Sequence, residues 1–243
     1  MNLEEKSFIE HLEELRQRLI KCLIVVGIAF GICYFFSKEI LDFLMVPLKR
    51  SVPEGATAIF LNPAEAFVTY IKLSFYSALF FSSPYILYQV WLFIAPGLYA
   101  HEKRMVLPFM IVATFLFVLG VAFAYFVVFP FGLKFLFSFS TEFIRPAPRL
   151  KDYLSFTATL LIAFGVVFEL PVFVYFLTKM GVIDEKTLSK NRRYAILIIF
   201  IVAAILTPPD VFTQLLMAAP LLALYEISIW VAKAAKAKPR KSA

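Results

Sequence analysis

The stretch YQVWLFIAPGLYAHEKR, Tyr88–Arg104, separates two long apolar runs with aromatic residues, a Pro96-Gly97 break and one carboxylate, Glu102, beside Lys103 and Arg104. Where such runs cross a bilayer, the segment between them lies at a membrane surface. A lone acid in so basic and aromatic a setting suits a cationic ligand.

Working outward, the rest of the chain calls for the bilayer. Of 243 residues, 61% are hydrophobic and 17% charged, and the mean hydropathy is +0.83. No soluble domain of this size buries so much apolar surface, so lipid is the solvent for most of the chain. Charge is confined to islands: the first twenty residues, 37–54, 101–104, 142–152, 184–193 and the tail. The net charge of +7 therefore reads as a set of topology signals and contacts to anionic headgroups, not as a nucleic-acid surface. The charged first twenty residues, with no small-residue cleavage site after the first apolar run, do not read as a cleaved signal. Cys22 and Cys33 sit in that run on one helix and are expected as free, inert thiols.

A hydrocarbon core of about 30 Å needs roughly 20 helical residues. On that measure the fold class is an all-α polytopic membrane protein, a single integral membrane domain over 1–243. Six transmembrane helices are expected near 20–36, 66–92, 106–130, 153–178, 194–206 and 211–231, the fifth and sixth being short. Residues 1–19 form an amphipathic segment and 232–243 a basic tail. Sixteen of the 24 Lys and Arg fall on the side that holds both termini and seven on the other, which puts both termini in the cytoplasm. Asn62-Pro63-Ala64-Glu65 reads as a helix start, with Asn as cap, Pro in the first turn and Glu three residues on. Ser82-Ser83-Pro84 is the expected hinge of the second span, Gly181 closes the fourth, and Thr207-Pro208-Pro209-Asp210 stops the fifth and caps the sixth.

Polar groups within the apolar runs carry the chemistry. Glu169, sixteen residues into the fourth span, has two readings: a neutral acid hydrogen-bonded to backbone freed by Pro171, or a polar spot lining a cavity that a substrate or partner enters. Proton coupling is a third use of such an acid. Ser7-Phe8-Ile9-Glu10 fits a capping box that starts a helix at Ser7. Phe8, Leu12, Leu15 and Leu19 then form a stripe suited to headgroups, opposite Glu10, Glu14, Arg18 and Lys21, with Glu14 and Arg18 spaced to pair. The bland reading of that charged face is simple solvation. Gln214, one turn into the last span, needs a partner on a neighbouring helix or another subunit. No phosphate loop, nucleophile elbow or metal set occurs, so neither an enzyme nor a cofactor is expected.

Three segments together resemble the TatC family, the multispanning core subunit of the twin-arginine protein translocase: HLEELRQRL at 11–19, the Tyr88–Arg104 stretch, and LTPPDVF at 206–212. Pro47-Leu48, AYFVVFP at 124–130 and FGVVFE at 164–169 also fit, so the match spans nearly the whole chain. The resemblance implies a receptor in the cytoplasmic (inner) membrane for folded precursors whose signal peptides carry consecutive arginines, exported with the proton-motive force. It implies that Glu14 and Glu102 receive the arginine pair, and that Arg16, Arg18 and Phe93 shape the same patch. Glu169 would line the intramembrane face that takes the signal's hydrophobic region. Thr207 and Gln214 would contact the single-span subunits TatA and TatB, and Pro47 and Asp210 would support the periplasmic side. Membrane lipid and further copies of the chain complete the expected partners. The rival reading is a proton-coupled secondary transporter of a small solute using Glu169.

Overall fold

A computed structural model of the chain describes residues 3–51, 58–94, 106–141, 147–207 and 210–235, the first eight of these by backbone alone. Glu102, the latter part of the opening stretch, Pro208-Pro209 and the end of the basic tail lie outside the described residues, as do the side chains of the Ser7–Glu10 capping box. The regular structure of the described residues is helical, joined by short turns and irregular segments, with one isolated bridge between Ile59 and Arg149.

Among the described residues, ten α-helices and one π turn follow in order: α1 Leu3–Phe35, α2 Ser37–Ser51, α3 Pro63–Ile94, α4 Val106–Phe123, the π turn Ala124–Val128, α5 Phe129–Phe137, α6 Leu150–Phe168, α7 Leu170–Lys179, α8 Glu185–Lys190, α9 Arg192–Leu206 and α10 Val211–Ala234. Among the described residues, four stretches are long and apolar enough to cross a membrane by length and composition: His11–Phe35, Leu107–Phe137, Leu150–Lys179 and Val211–Ala234.

Burial is arranged for lipid. Ser74, Ala78, Ala113, Ala124, Thr157, Ala203 and Ser228 are fully buried, while Leu23, Ile28, Phe35, Phe115, Phe126, Ile205 and Trp230 are largely exposed. Small residues let helix backbones approach where the surrounding solvent is as apolar as leucine, so large side chains can face outward. The buried hydroxyls of Ser74, Thr157, Thr178 and Ser228 each donate to the carbonyl four residues earlier, which satisfies them without a partner helix.

The chain divides into two compact units. The first, Met1–Leu41 with Tyr70–Thr114, packs α1 against α3 through Val26, Cys33 and Ala78, with Phe30, Leu79 and Ile86 around them. Both cysteines are free. The second unit, Asp42–Thr69 with Phe115–Ala243, is organised on α10, which packs against α5, α6, α7, α8 and α9. Its buried residues Thr213, Met217, Leu221, Leu224 and Ser228 recur every three or four positions and form one face.

Several boundaries differ from the sequence reading for identifiable reasons. Helix α1 begins at Leu3, about one turn before Ser7, and runs without a break into the first span, because no Gly or Pro interrupts residues 3–26. The island at 37–54 contains a helix, α2, whose alternation of charged and apolar residues hid it among loop signals. The third run continues to Phe137, since Pro130 falls in the first turn of α5 and is tolerated there. The fourth is interrupted at Glu169, where Pro171 cannot continue the backbone ladder of α6 and the chain restarts as α7. Helix α9 starts at Arg192 but is still only 15 residues, about 22 Å long. Helix α3 stays helical through Pro84 for 32 residues.

The capping signals hold. Asn62 Oδ1 accepts from the Ala64 N–H at 3.0 Å, and Glu65 Oε2 accepts from the Leu61 N–H at 3.2 Å. Asp184 accepts from the Thr187 N–H at 2.8 Å, and the hydrogen bonds from Thr187 hold its carboxyl below the usual carboxylate range. Gly181, at φ 73°, ends α7: its N–H donates to Thr178 O at 3.0 Å and that of Val182 to Leu177 O at 2.9 Å. A β-carbon is disfavoured in that left-handed conformation, so Gly181→Ala is expected to cost about 1 kcal/mol of stability. Thermal unfolding in detergent would read this as a lowered midpoint.

Candidate functional site

Four of the sequence-selected residues share the first unit. Within α1, the Arg18 side chain (19% exposed) lies beside Glu14 (35% exposed), one turn earlier. Arg18 Nε and Nη2 both donate to one carboxylate oxygen, Glu14 Oε1, at 3.0 and 2.5 Å. The guanidinium also reaches α3: Nη1 donates to Gln89 Oε1 at 3.1 Å, and Nη2 to Leu92 O at 3.4 Å. Gln89 is buried, and its Nε2 donates to the Tyr85 hydroxyl at 2.8 Å. The second carboxylate oxygen, Glu14 Oε2, lies 3.8 Å from His11 Nδ1. The His11 ring in turn stacks on Phe93, centroids 4.3 Å apart and planes 19° from parallel. Arg16 is exposed on the same helix and stands apart from this chain of contacts.

This arrangement corrects the solvated-face reading of α1. Leu12, Leu15 and Leu19 are exposed, whereas Glu14 and Arg18 turn toward α3. A guanidinium with five donors finds acceptors on α3 that a leucine stripe cannot use, and the apolar stripe is left for lipid. Gln89 and Tyr85 are the site residues that sequence reasoning missed. The available signal was an amide inside an apolar run, one turn before Phe93, which must find a partner in lipid.

Glu169 sits at the joint of α6 and α7 with both carboxyl oxygens buried and without a hydrogen bond among the described residues. The reading in which it bonds to backbone freed by Pro171 is therefore overturned. The break is closed by backbone instead, with the Glu169 N–H donating to Val166 O at 3.1 Å and that of Phe173 to Glu169 O at 2.9 Å. What remains is a polar spot in an apolar surround, where a charge without a partner costs several kcal/mol.

The remaining sequence-selected residues, Asp210, Gln214, Thr207 and Pro47, also lie in the second unit. Asp210 caps α10, its carboxylate accepting from the Thr213 N–H at 2.7 Å and from the Thr213 hydroxyl. Gln214 Nε2 donates to Phe200 O on α9 at 3.1 Å, which gives one amide hydrogen a partner on a neighbouring helix, and Thr207 Oγ1 donates to Ala203 O at 2.8 Å. Pro47 is buried inside α2, where it has no N–H for the carbonyl of Phe43. The Tyr125 hydroxyl donates to that carbonyl at 2.6 Å, and the Tyr125 ring stacks on Phe43 at 4.7 Å. Tyr153 Oη donates to Leu44 O, next along the same helix, at 2.6 Å.

Several apolar helices long enough to cross a membrane, with a carboxylate–guanidinium–amide cluster joining α1 to α3, define a multi-pass helical membrane protein by class. A family model described as "Sec-independent protein translocase protein (TatC)" matches residues 10–220. Curated relatives agree. A Sec-independent protein translocase protein TatC from Desulforapulum autotrophicum is 48% identical over 93% of this chain and 84% of its own length. The one from Escherichia coli K12 is 43% identical over 96% of this chain and 91% of its own. A crystal structure described as the twin arginine translocase receptor TatC superposes with a TM-score of 0.85, at 45% identity, over 93% of this chain and 99% of that one. The chain belongs to the TatC family of Sec-independent protein translocase proteins. The alternative of a proton-coupled solute transporter finds no support in these relatives, all named as translocase proteins.

Proposed function

We propose that this chain is the receptor and core subunit of a twin-arginine translocase, binding Arg-Arg signal peptides of folded precursors for export driven by the proton-motive force. The observation that carries this reading is the state of Glu14: a half-exposed carboxylate with one oxygen held by Arg18 and the other turned toward the His11–Phe93 stack. Glu14 meets one arginine of the signal, and Glu102 takes the second. Arg16 and Arg18 repel weakly matched cationic peptides, so that only a pair of well-placed guanidinium groups is retained.

The same reading gives the chain six spans in a single integral domain of the inner membrane, with both termini cytoplasmic. Helix α3 and the short α9 then supply the second and fifth spans. Glu169 lines the intramembrane face that receives the apolar part of the signal, which fits a buried carboxyl open to a new partner. Thr207 and the amide oxygen of Gln214 meet TatA and TatB, and Pro47 and Asp210 stabilise the periplasmic ends of α2 and α10. Lipid and further copies of the chain surround it in the complex.

The test is capture of a folded precursor bearing an Arg-Arg or a Lys-Lys signal by purified protein in detergent. Wild type is expected to retain the Arg-Arg precursor preferentially. Glu14→Gln and Glu102→Gln are each expected to lower that affinity about tenfold, the scale of a lost hydrogen bond to a charged group. Equal capture of both precursors by wild type would reject the proposal.

A further inference from the structure

We propose that Gln89 is a positioning residue for arginine recognition, acting through Arg18 to fix which oxygen of Glu14 is offered to the signal peptide. The proposal rests on the reading of Glu14 as an arginine acceptor.

An exposed Glu–Arg pair one turn apart on a helix is weak, and its side chains wander among rotamers. Here the pair is tied to a second helix. Arg18 Nη1 is held by Gln89 Oε1 at 3.1 Å and Nη2 reaches Leu92 O at 3.4 Å, so the guanidinium plane is fixed from α3. Gln89 is itself only 6% exposed and cannot turn over freely. Its Nε2 donates to Tyr85 Oη at 2.8 Å, and an inverted amide would press an NH2 against Arg18, which has donors only. Tyr85, Gln89 and Arg18 therefore form a directed chain with one sense of hydrogen bonding.

The consequence reaches the carboxylate. Arg18 spends both Nε and Nη2 on Oε1, and neither bond involves Oε2. Glu14 consequently offers one oxygen, in a fixed direction, on the side of His11 and Phe93. An incoming guanidinium meets that single acceptor and directs its remaining donors elsewhere, which is a geometric reason for a second acidic residue in the site. Without Gln89, Nη1 loses its acceptor in a half-buried position. Arg18 then shifts, and Glu14 presents no defined oxygen.

The experiment titrates a fluorescent Arg-Arg signal peptide, and its Lys-Lys counterpart, into the full chain in detergent. The proteins compared are wild type, Gln89→Leu, Tyr85→Phe, Glu14→Gln and Gln89→Leu combined with Glu14→Gln. Gln89→Leu is expected to weaken Arg-Arg binding about tenfold and to narrow the gap to Lys-Lys. In the Glu14→Gln background the same substitution is expected to change nothing further, since it acts only through that carboxylate. Tyr85→Phe removes one hydroxyl and is expected to weaken binding about threefold, a readout that stands if Gln89→Leu does not fold. Wild-type affinity in both Gln89→Leu and Tyr85→Phe, with Glu14→Gln impaired, overturns the role of Gln89 and leaves the receptor reading intact. An equal loss from Gln89→Leu in both backgrounds also overturns it, marking a general structural defect. Wild-type affinity in Glu14→Gln overturns the assignment of Glu14, and the role of Gln89 with it.

Discussion

Gly120→Leu is expected to abolish accumulation of the folded chain. Helix α4 meets α6 through two glycines. A β-carbon on Gly120 would lie 2.5 Å from the backbone oxygen of Phe164 and 2.8 Å from the Phe168 ring, and one on Gly165 would lie 2.6 Å from the Phe117 ring. A side chain can rotate away from such a clash, but the Phe164 carbonyl belongs to a helix, so α6 as a whole must move. Phe164 is fully buried, and its ring and that of Phe168 both pack against Phe123, so the displacement opens the core of the second unit. Overpacking of this kind costs at least about 3 kcal/mol for the larger side chain, with Gly120→Ala losing roughly half as much. In α1 the contrast is complete: nothing lies within 4 Å of a β-carbon built on Gly27 or Gly31. Alanine at either position is expected to leave stability unchanged or slightly raised, because glycine is the poorer helix former. Size-exclusion profiles and thermal midpoints in detergent would read the series. A Gly120→Leu protein as monodisperse and heat-stable as wild type would remove the close approach of α4 and α6 from the account.

The helix ends were legible in the chain because they depend on local chemistry that lipid does not alter. Asn62, Gly181 and Asp210 each do what their residue type predicts, capping or closing a helix with bonds no more than a few residues long. The helix faces were harder to read. Helical spacing gave Leu12, Leu15 and Leu19 to the headgroups and set Glu14 and Arg18 to pair on an opposite face whose bland reading was simple solvation, with no sign of the helix that face would meet. In a membrane the stripe meets lipid, and helices join through small and polar residues. Gln89 was overlooked for the same reason, as a polar residue in an apolar run with no sequence neighbour to pair with. Its partners, Arg18 and Tyr85, lie 71 and 4 positions away, and only the packing of α1 on α3 brings the first within reach. Helix α2 was lost to its charges, although the buried Leu44, Pro47 and Leu48 lie at the three- and four-residue spacings of one helix face. Glu169 was recognised as a polar spot; what its sequence could not give was that both oxygens stay unbonded while backbone alone closes the break.

Pro47 supplies the second large effect. In a regular helix the N–H of residue 47 would donate to the carbonyl of residue 43, and proline has none to give. The protein makes good the loss from outside α2, through the Tyr125 hydroxyl at 2.6 Å. Tyr125 is placed for this by the π turn, in which the Phe129 N–H reaches back five residues to Ala124 O and the helix gains a residue in one turn. Proline and π turn are thus two irregularities that answer each other, and Tyr125 is the bond between them. Tyr125→Phe is expected to destabilise the protein by about 2 kcal/mol, the penalty for leaving a part-buried carbonyl without its donor. Pro47→Ala restores an N–H at position 47, so in that background the hydroxyl becomes redundant. The double variant is expected to lose about 1 kcal/mol less than the two single losses together. Thermal or denaturant unfolding of the four proteins measures that coupling. Strict additivity would mean that Tyr125 and Pro47 serve the fold separately, and that the carbonyl of Phe43 finds another donor when the hydroxyl is gone.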